Sequence, residues 1–515
     1  MSRKRDRSRT AATPADGHNR LTARRMGIET LHEAHVYMRA DCHVCRSEGF
    51  SSQNSVLVTY RGHSIVATLY VVGPDMLGRG EIGLSEYPWE HLKLKPGSAV
   101  TVSHPPPLES FSYVRSKVYG HRLNDHAFRS IITDIAAGRY LNIDLSAFIT
   151  TCAANSLDLE EMIGLTRAMV GAGERIDWGR TPIVDKHCVG GLPGNRTTPL
   201  VVAIVAAAGL TIPKTSSRAI TSPAGTADMM ETLAPVELDL AAMRRVVEKE
   251  GGCIVWGGAV RLSPTDDVLI RVERVLDLDA EGQLVASILS KKVAAGATHL
   301  VLDLPVGPTA KVRSHEAAQG LAHSLTEVAR AFGLAVRTVQ SDGTQPVGRG
   351  IGPSLEARNV LDVLQDRPDA PEDLRDHALV LAGNLLEMGG AAADGNGLAL
   401  ATHILSSGRA WDKFQAICKA QGGMRTPPEA RHRHVMTADR TGIVDRIDNR
   451  RLAKVAKLAG APDDKSAGVE IHVRIGHRIT EGEPTYTIHS EAPGELAYAL
   501  NYAAANLDIV GIAIS

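Results

Sequence analysis

The sequence predicts a multidomain α/β protein, with a small N-terminal β-rich domain, an all-α domain, a large mostly parallel α/β domain and a C-terminal α+β domain. Three observations carry the prediction. The chain has 515 residues, beyond the size at which one hydrophobic core stops growing, so roughly two to four domains are expected. Strand-like and helix-like stretches alternate over residues 181–343, the pattern of a parallel sheet covered by helices. The texture changes at Pro105-Pro106-Pro107 and again near Asp439.

In chain order, residues 1–25 are rich in Arg, Ser and Thr and lack the apolar core of a signal peptide. That composition predicts a disordered basic tail. The β-rich domain is expected over 26–105. Residues 55–60 and 64–72 are rich in β-branched side chains, Arg61-Gly62-His63 forms the turn between them, and Lys95-Pro96-Gly97 leads into another strand at 99–103. Cys42-His43-Val44-Cys45 lies inside this domain. A Cys-x-x-Cys can ligate zinc or exchange disulfides, but no second cysteine pair stands nearby, so a structural or incidental role is expected.

Over 110–180 the pattern turns helical. Asn124 or Asp125 can cap one helix, Asp144 a second, and Asp158 a third with Met162, Leu165 and Met169 at helical spacing. Helices from about 390–425 are expected to return to this all-α domain. The α/β domain is expected over 181–388, with strands near 254–256, 298–304 and 334–339 and a helix at 285–294. The α+β domain is expected over 435–515, where strand-like residues 441–444 and 468–473 flank a helix at 449–458.

Function concentrates between Asp185 and Glu231. Residues 185–198 form a loop rich in Gly and Thr, 199–210 are an apolar helix, and 214–228 form a second loop rich in Ser, Thr and Gly. Glycine lets backbone N–H groups approach a ligand closely. Hydroxyls donate without adding charge. Lys186 and Arg218 are expected to supply the positive charge. Two such loops around one buried helix describe a site for an oxyanion such as phosphate. No Gly-Lys-Ser/Thr closes either loop, so this is not a P-loop, nor is it a Rossmann fingerprint.

Ser216-Ser217-Arg218-Ala219-Ile220, Ala224-Gly225-Thr226, Asp228 and Glu231 resemble the signature of the thymidine phosphorylase and pyrimidine nucleoside phosphorylase family. Asp185-Lys186-His187 with Gly190-Gly191 resembles that family's phosphate loop. The wording of 217–222 is nearest to the long branch, which includes archaeal AMP phosphorylases. The resemblance covers roughly residues 110–515. It implies phosphorolysis, in which phosphate displaces a nucleobase from the anomeric carbon of a pentose. It places phosphate on Lys186, Gly191, Ser217 and Thr226, and turns His187 toward the base. It assigns Arg218, Ala219, Ile220, Thr221 and Ser222 to substrate binding. Asp279, Ser287 and Lys311 match the AMP branch, where the Asp gives the leaving base its proton while the Ser and Lys contact the nucleotide. No cofactor is implied beyond phosphate as co-substrate, and a homodimer or higher homo-oligomer is.

Two departures stand out. Cys188 replaces the Ser of the pyrimidine enzymes. Leu269 and Val272 fall where those enzymes have a base-binding Tyr and Arg, with Arg271 one position away. Thymidine phosphorolysis to thymine and 2-deoxyribose 1-phosphate is therefore expected alongside an alternative, phosphorolysis of AMP to adenine and ribose 1,5-bisphosphate. The alternative needs an anion site for the 5′-phosphate, for which Arg218, Thr221 and Ser222 are candidates. A phosphoribosyltransferase of the same fold type would need magnesium, and no convincing acidic pair is apparent.

Composition excludes other classes. A net charge of −1 argues against a general nucleic-acid binder. Six cysteines in a chain this long form no disulfide framework, which suits a reducing cytoplasm. No apolar run reaches about 18 residues, so no membrane span is expected. Aromatics are only 4%, so the cores must be aliphatic.

Overall fold

The computed structural model describes residues 18–190, 192–219, 222–260, 262–276, 278 and 280–514. The described chain divides into two compact units, one running to Arg115 and including Asp134–Ala147, the other comprising Ser116–Thr133 and the chain from Phe148 onward.

The first unit holds a closed six-stranded barrel. Its strands are β1 (Arg20–Arg25), β2 (His35–Arg39), β3 (Ser55–Tyr60), β4 (His63–Val72), β5 (Glu81–Leu84) and β6 (Ala99–Ser103), in the order β1-β5-β2-β4-β3-β6. Short helices α1 (His43–Glu48) and α2 (Glu86–His91) lie between strands. Period-2 alternation sends Leu21, Ala23, Val36, Met38, Val56, Val58, Val100 and Val102 inside. Closure leaves no unpaired edge. The expected tail to Arg25 needs correction, because Arg20–Arg25 is the first barrel strand. Its arginines point outward and hide the buried Leu21–Ala23 alternation from a reading by composition. Residues 1–17 lie outside the described residues. Cys42 has a structural part: its Sγ accepts the Cys45 N–H at 3.2 Å and caps α1. Burial pushes the Cys45 thiol up to about 12.

Helices α3 (Phe111–Val118), α4 (Asp125–Ala136), α5 (Asn142–Ala154) and α6 (Leu159–Gly171) follow. Asn124 caps α4 by accepting the Ala127 N–H. Asp144 does not start a helix. It sits in the first turn of α5 and accepts the Leu141 N–H. Asp158 opens α6 through a capping box with Glu161. Glu161 also takes the buried Lys117 ammonium at 2.7 and 2.8 Å and the Leu123 N–H at 2.8 Å.

The α/β region runs β7 (Val184–Cys188), α7 (Thr197–Ala207), β8 (Ile212–Ser216), α8 (Thr226–Glu231), α9 (Leu240–Glu250), β9 (Gly252–Trp256), α10 (Pro264–Leu276), α11 (Glu281–Ala294), β10 (His299–Val306), α12 (His315–Arg330) and β11 (Ala335–Asp342). Strands β11-β10-β7 pair in parallel, as do β8-β9, and a parallel bridge from Ile183 to Thr211 joins the two sets. The chain moves outward from β7 through β8 and β9, then returns to the other side for β10 and β11. The order therefore reverses at β7, and ligands in such sheets bind beyond the carboxyl ends of the strands at that reversal.

After β12 (Gly350–Ile351) come α13 (Pro353–Leu364), α14 (Glu372–Met388), α15 (Gly397–Ser406) and α16 (Arg409–Ala420). α7 is apolar on every side and wholly buried from Thr197 to Ala206, so it needs cover all round. α14, α15 and α16 pack on it, with Ala401, Ile404, Leu405, Phe414 and Ile417 in the same core as Leu200 and Ile204. The helices of 390–425 thus cover the α/β core rather than returning to the helices of 110–180. The C-terminal region holds β13 (His432–Thr437), β14 (Gly442–Ile447), α17 (Asn449–Leu458), β15 (Gly468–Ile471), β16 (Arg478–Ile479), β17 (Pro484–Ser490), α18 (Pro493–Ala504) and β18 (Val510–Ala513). They form sheets β12-β15-β17-β13 and β16-β14-β18 around a core of Val444, Leu452, Val455, Val469 and Ile488. Among the described residues no helix is long and apolar enough to cross a membrane.

The Lys117–Glu161 pair yields a stability prediction. Glu161→Ala leaves a buried ammonium without its counter-charge and should destabilise by about 3–5 kcal/mol. Chemical denaturation against the parent protein measures it.

Candidate functional site

After Val184, β7 carries Asp185-Lys186-His187-Cys188, all four ionisable in a central strand. Asp185 is buried and neutralised from two sides. Lys214 Nζ of β8 stands 3.3 Å from Oδ1 and Lys292 Nζ of α11 stands 2.8 Å from Oδ2. Burial alone would raise the carboxyl pKa, but the two lysines outweigh it and hold it below the usual carboxylate range. Burial also lowers the Lys214 ammonium well below its ordinary value, against the pull of Asp185.

Lys186 turns toward the amino end of α7. Its Nζ donates to Thr197 Oγ1 at 2.6 Å and Thr198 Oγ1 at 3.3 Å. Burial lowers its pKa, and nearby Asp303 opposes that shift. His187 is half-buried. Burial first, then Lys292, Lys214, Lys291 and Lys186, depress its imidazole well below the usual range, so it is neutral at pH 7. Burial and Asp303 push the Cys188 thiol well above its ordinary value, which disfavours the thiolate. Asn195 Nδ2 donates to Cys188 Sγ at 3.1 Å and to Asp303 Oδ2 at 3.2 Å.

The loop after β7 is bound to its neighbours by close approach. Gly194 has φ +73°, and a Cβ there would lie 2.1 Å from the Val347 carbonyl oxygen. Lys311, on the turn after β10, has its Cβ 3.4 Å from where a Gly190 side chain would begin. Arg196 then crosses to the second loop. It donates to the Ala224 carbonyl and ion-pairs with buried Glu356 of α13. Burial pushes Glu356 up to about 7, with Arg196 opposing.

The second loop folds onto the start of α8. Ala227 N–H donates to the Ser217 carbonyl at 3.2 Å, which sets Ser217 beside Thr226. A Cβ at Gly225 would meet Ser217 O at 2.5 Å, so only glycine fits. Asp228 Oδ2 accepts the Ala219 and Gly225 N–H groups at 2.6 and 2.9 Å. The Ser222 hydroxyl is used in its own turn, on Ala224 O.

Arg218 departs from expectation. Its guanidinium is not an open cation: it pairs with Glu231, Glu237 and Asp228 and lies 4.9 Å over the Trp256 ring. The hydrogen bond to Glu231 raises its pKa and lowers that of Glu231 to about 2. Lys465 also reaches Glu231, at 3.1 Å. The motif's Arg and acids satisfy one another, a pairing that the order of residues along the chain does not reveal.

On α11, Ser287 lies one turn from Lys291, on the same face. Lys291 pairs with buried Asp266 of α10 at 2.5 Å. Burial raises Asp267 beside it to about 6. Leu269 and Val272 are buried in α10. The structure thus gathers Lys186, His187 and Lys311 around the β7 loop, and Ser217 with Thr226 at the second. Gly191, Ile220, Thr221 and Asp279 lie outside the described residues. Asp185, Lys214, Lys292, Asn195, Arg196, Asp303 and Glu356 were given no role from the sequence. One signal was present: the lone charge at Asp303 interrupts an otherwise apolar stretch, residues 300–306, and a buried charge requires a partner.

Comparison with known proteins identifies the family. Residues 180–411 match the model of the glycosyl transferase family a/b domain, 112–173 its helical bundle domain, and 443–510 the pyrimidine nucleoside phosphorylase C-terminal domain. The chain belongs to this glycosyl transferase family and is an enzyme of the pentosyltransferase class. It is 61% identical over 502 residues to "Putative thymidine phosphorylase 2" of Acidovorax sp. (strain JS42), covering 98% of each chain. It is 58% identical over 490 residues to "Putative thymidine phosphorylase" of Legionella pneumophila (strain Corby), covering 95% of each. The fold is similar to that of anthranilate phosphoribosyltransferase from Thermus thermophilus, at TM-score 0.51 and 19% identity, over 60% of this chain and 98% of that one.

The buried triad of Asp185, Lys214 and Lys292 yields a pH prediction. Because the folded pKa of Asp185 is depressed, its contribution to stability is present above the ordinary carboxylate range and is lost as pH falls through the folded value. Asp185→Asn should therefore lower the melting temperature at pH 7 and flatten the acid limb of the stability profile. Thermal unfolding from pH 3 to 8 reads both.

Proposed function

We propose that the chain catalyses phosphorolysis of thymidine. Phosphate attacks C1′, the N-glycosidic bond breaks, and thymine leaves as 2-deoxyribose 1-phosphate forms. The observation that carries the reading is Lys186 Nζ, buried at the sheet's reversal point on the Thr197 and Thr198 hydroxyls at the start of α7. A lysine has three N–H donors, so one remains for phosphate. Gly191, Ser217 and Thr226 complete the phosphate contacts in this reading. The transition state places positive charge on the sugar, as in other glycosyl transfers. A phosphate held in line stabilises that charge.

The leaving base needs a proton or hydrogen bond. Neutral His187 meets it as a hydrogen-bonding partner rather than a cation. Asp279 is the proposed proton donor, with Ser287 and Lys311 toward the sugar. The remaining motif residues, Arg218, Ala219, Ile220, Thr221 and Ser222, line the substrate side. The proposed enzyme is a cytoplasmic homo-oligomer with phosphate as co-substrate and no cofactor.

One observation favours AMP instead. Buried Leu269 and Val272 stand where the resemblance places a base-binding Tyr and Arg. Against it, three carboxylates already occupy Arg218, the cation expected to meet a 5′-phosphate.

Phosphate-dependent base release from thymidine and from AMP decides between them. Thymine without adenine is expected, and adenine release with thymidine left intact would overturn the reading. Lys186→Ala should cut the rate by about 10²–10³, measured as turnover at saturating phosphate. A near-normal rate there would remove the phosphate assignment.

A further inference from the structure

Asp303 is fully buried on β10, in register with Cys188 of β7. The strand around it, residues 300–306, is otherwise apolar and buried. A carboxylate in such a strand requires partners, and besides the Cys188 thiol it meets three side chains from other elements. Ser341 Oγ donates to Oδ1 at 2.6 Å, His377 Nε2 of α14 lies 3.0 Å from the same oxygen, and Asn195 Nδ2 donates to Oδ2 at 3.2 Å. Burial would push the carboxyl up, but His377, Lys186 and Ser341 together hold it well below the usual range. It is an anion and can only accept.

That property sets the direction of a hydrogen-bond chain. An amide can face either way, but beside a carboxylate it must turn its NH2 inward, so the Asn195 carbonyl faces Thr197. Thr197 Oγ1 gives its single proton to Asn195 Oδ1 at 3.3 Å. Its lone pairs then receive Lys186 Nζ at 2.6 Å. A reversed amide would offer Thr197 a donor and turn its proton toward the ammonium. The backbone of Asp303 also anchors the start of the loop, since its carbonyl accepts the Val189 N–H at 2.8 Å.

We propose that Asp303, backed by Ser341 and His377, is a positioning residue for the phosphate-binding lysine. Through Asn195 and Thr197 it holds Lys186 Nζ against the first turn of α7, so that its third N–H is presented to phosphate. The inference rests on the reading that Lys186 binds phosphate.

Titration calorimetry with inorganic phosphate on the full chain tests it, using Asp303→Asn, Asn195→Ala and the double variant. Each single change should weaken phosphate binding by about 10- to 100-fold, the scale on which misplaced groups act. The double variant should be no weaker than the worse single one, because both cut the same chain. With a substrate that turns over, KM for phosphate should rise in step with the dissociation constant, while kcat at saturating phosphate falls far less. Parental affinity in a folded Asn195→Ala, or additive losses in the double variant, would overturn the proposal. If Asp303→Asn fails to fold, Ser341→Ala takes its place, with a smaller loss expected and unchanged affinity counting against the proposal. Phosphate binding by the parent with no effect in any variant defeats this inference alone. Absence of phosphate binding in the parent defeats the functional reading beneath it as well.

Discussion

The charge balance under β7 is the constraint on which the site depends. Four lysines, Lys186, Lys214, Lys291 and Lys292, converge on one strand end and one helix face. Burying that many ammonium groups is prohibitive without counter-charge. Asp185 is shared between Lys214 and Lys292, and Asp266 pairs with Lys291. Of these four, Lys186 rests on neutral hydroxyls, with Asp303 behind it through Thr197 and Asn195. The lysine whose charge is least spoken for is thus the one at the mouth of the loop, which is the arrangement an incoming anion requires.

The same economy explains His187. Burial first, and the surrounding lysines next, disfavour a second proton on its imidazole, so the chain presents a neutral ring beside Lys186. The second loop follows a different rule. Its positive residue, Arg218, pairs with Glu231, Glu237 and Asp228, while Asp228 also holds the Ala219 and Gly225 N–H groups, so the guanidinium is not an open cation. One loop supplies charge and the other supplies fixed geometry. Arg196 ties them by reaching the Ala224 carbonyl from the start of α7.

Buried α7 explains why the region is so extensive. A helix apolar on every side cannot sit on one face of a sheet and still meet water. It draws in α14, α15 and α16, and so brings the chain of 372–420 onto the back of α7. His377 of α14 thereby reaches Asp303, and residues far apart in sequence share one hydrogen-bond chain.

Much of this was legible in the residues. The β-branched runs 55–60 and 64–72 around Arg61-Gly62-His63 marked a hairpin, Asp158 marked a helix start, and the two Gly/Ser/Thr stretches marked the segments that bracket a buried helix. These are local properties: β-branched richness, a capping side chain and glycine's steric freedom are all written within a few residues. Tertiary structure decided what local pattern cannot express. It made Arg20–Arg25 a barrel strand despite its arginines, sent the helices of 390–425 to α7, closed Arg218 onto its acids and set Asp303 behind Lys186. Each of these is a matter of partner choice across a long sequence separation. Such choices follow from which buried charge or apolar face must be covered, and that is settled only when the chain is packed.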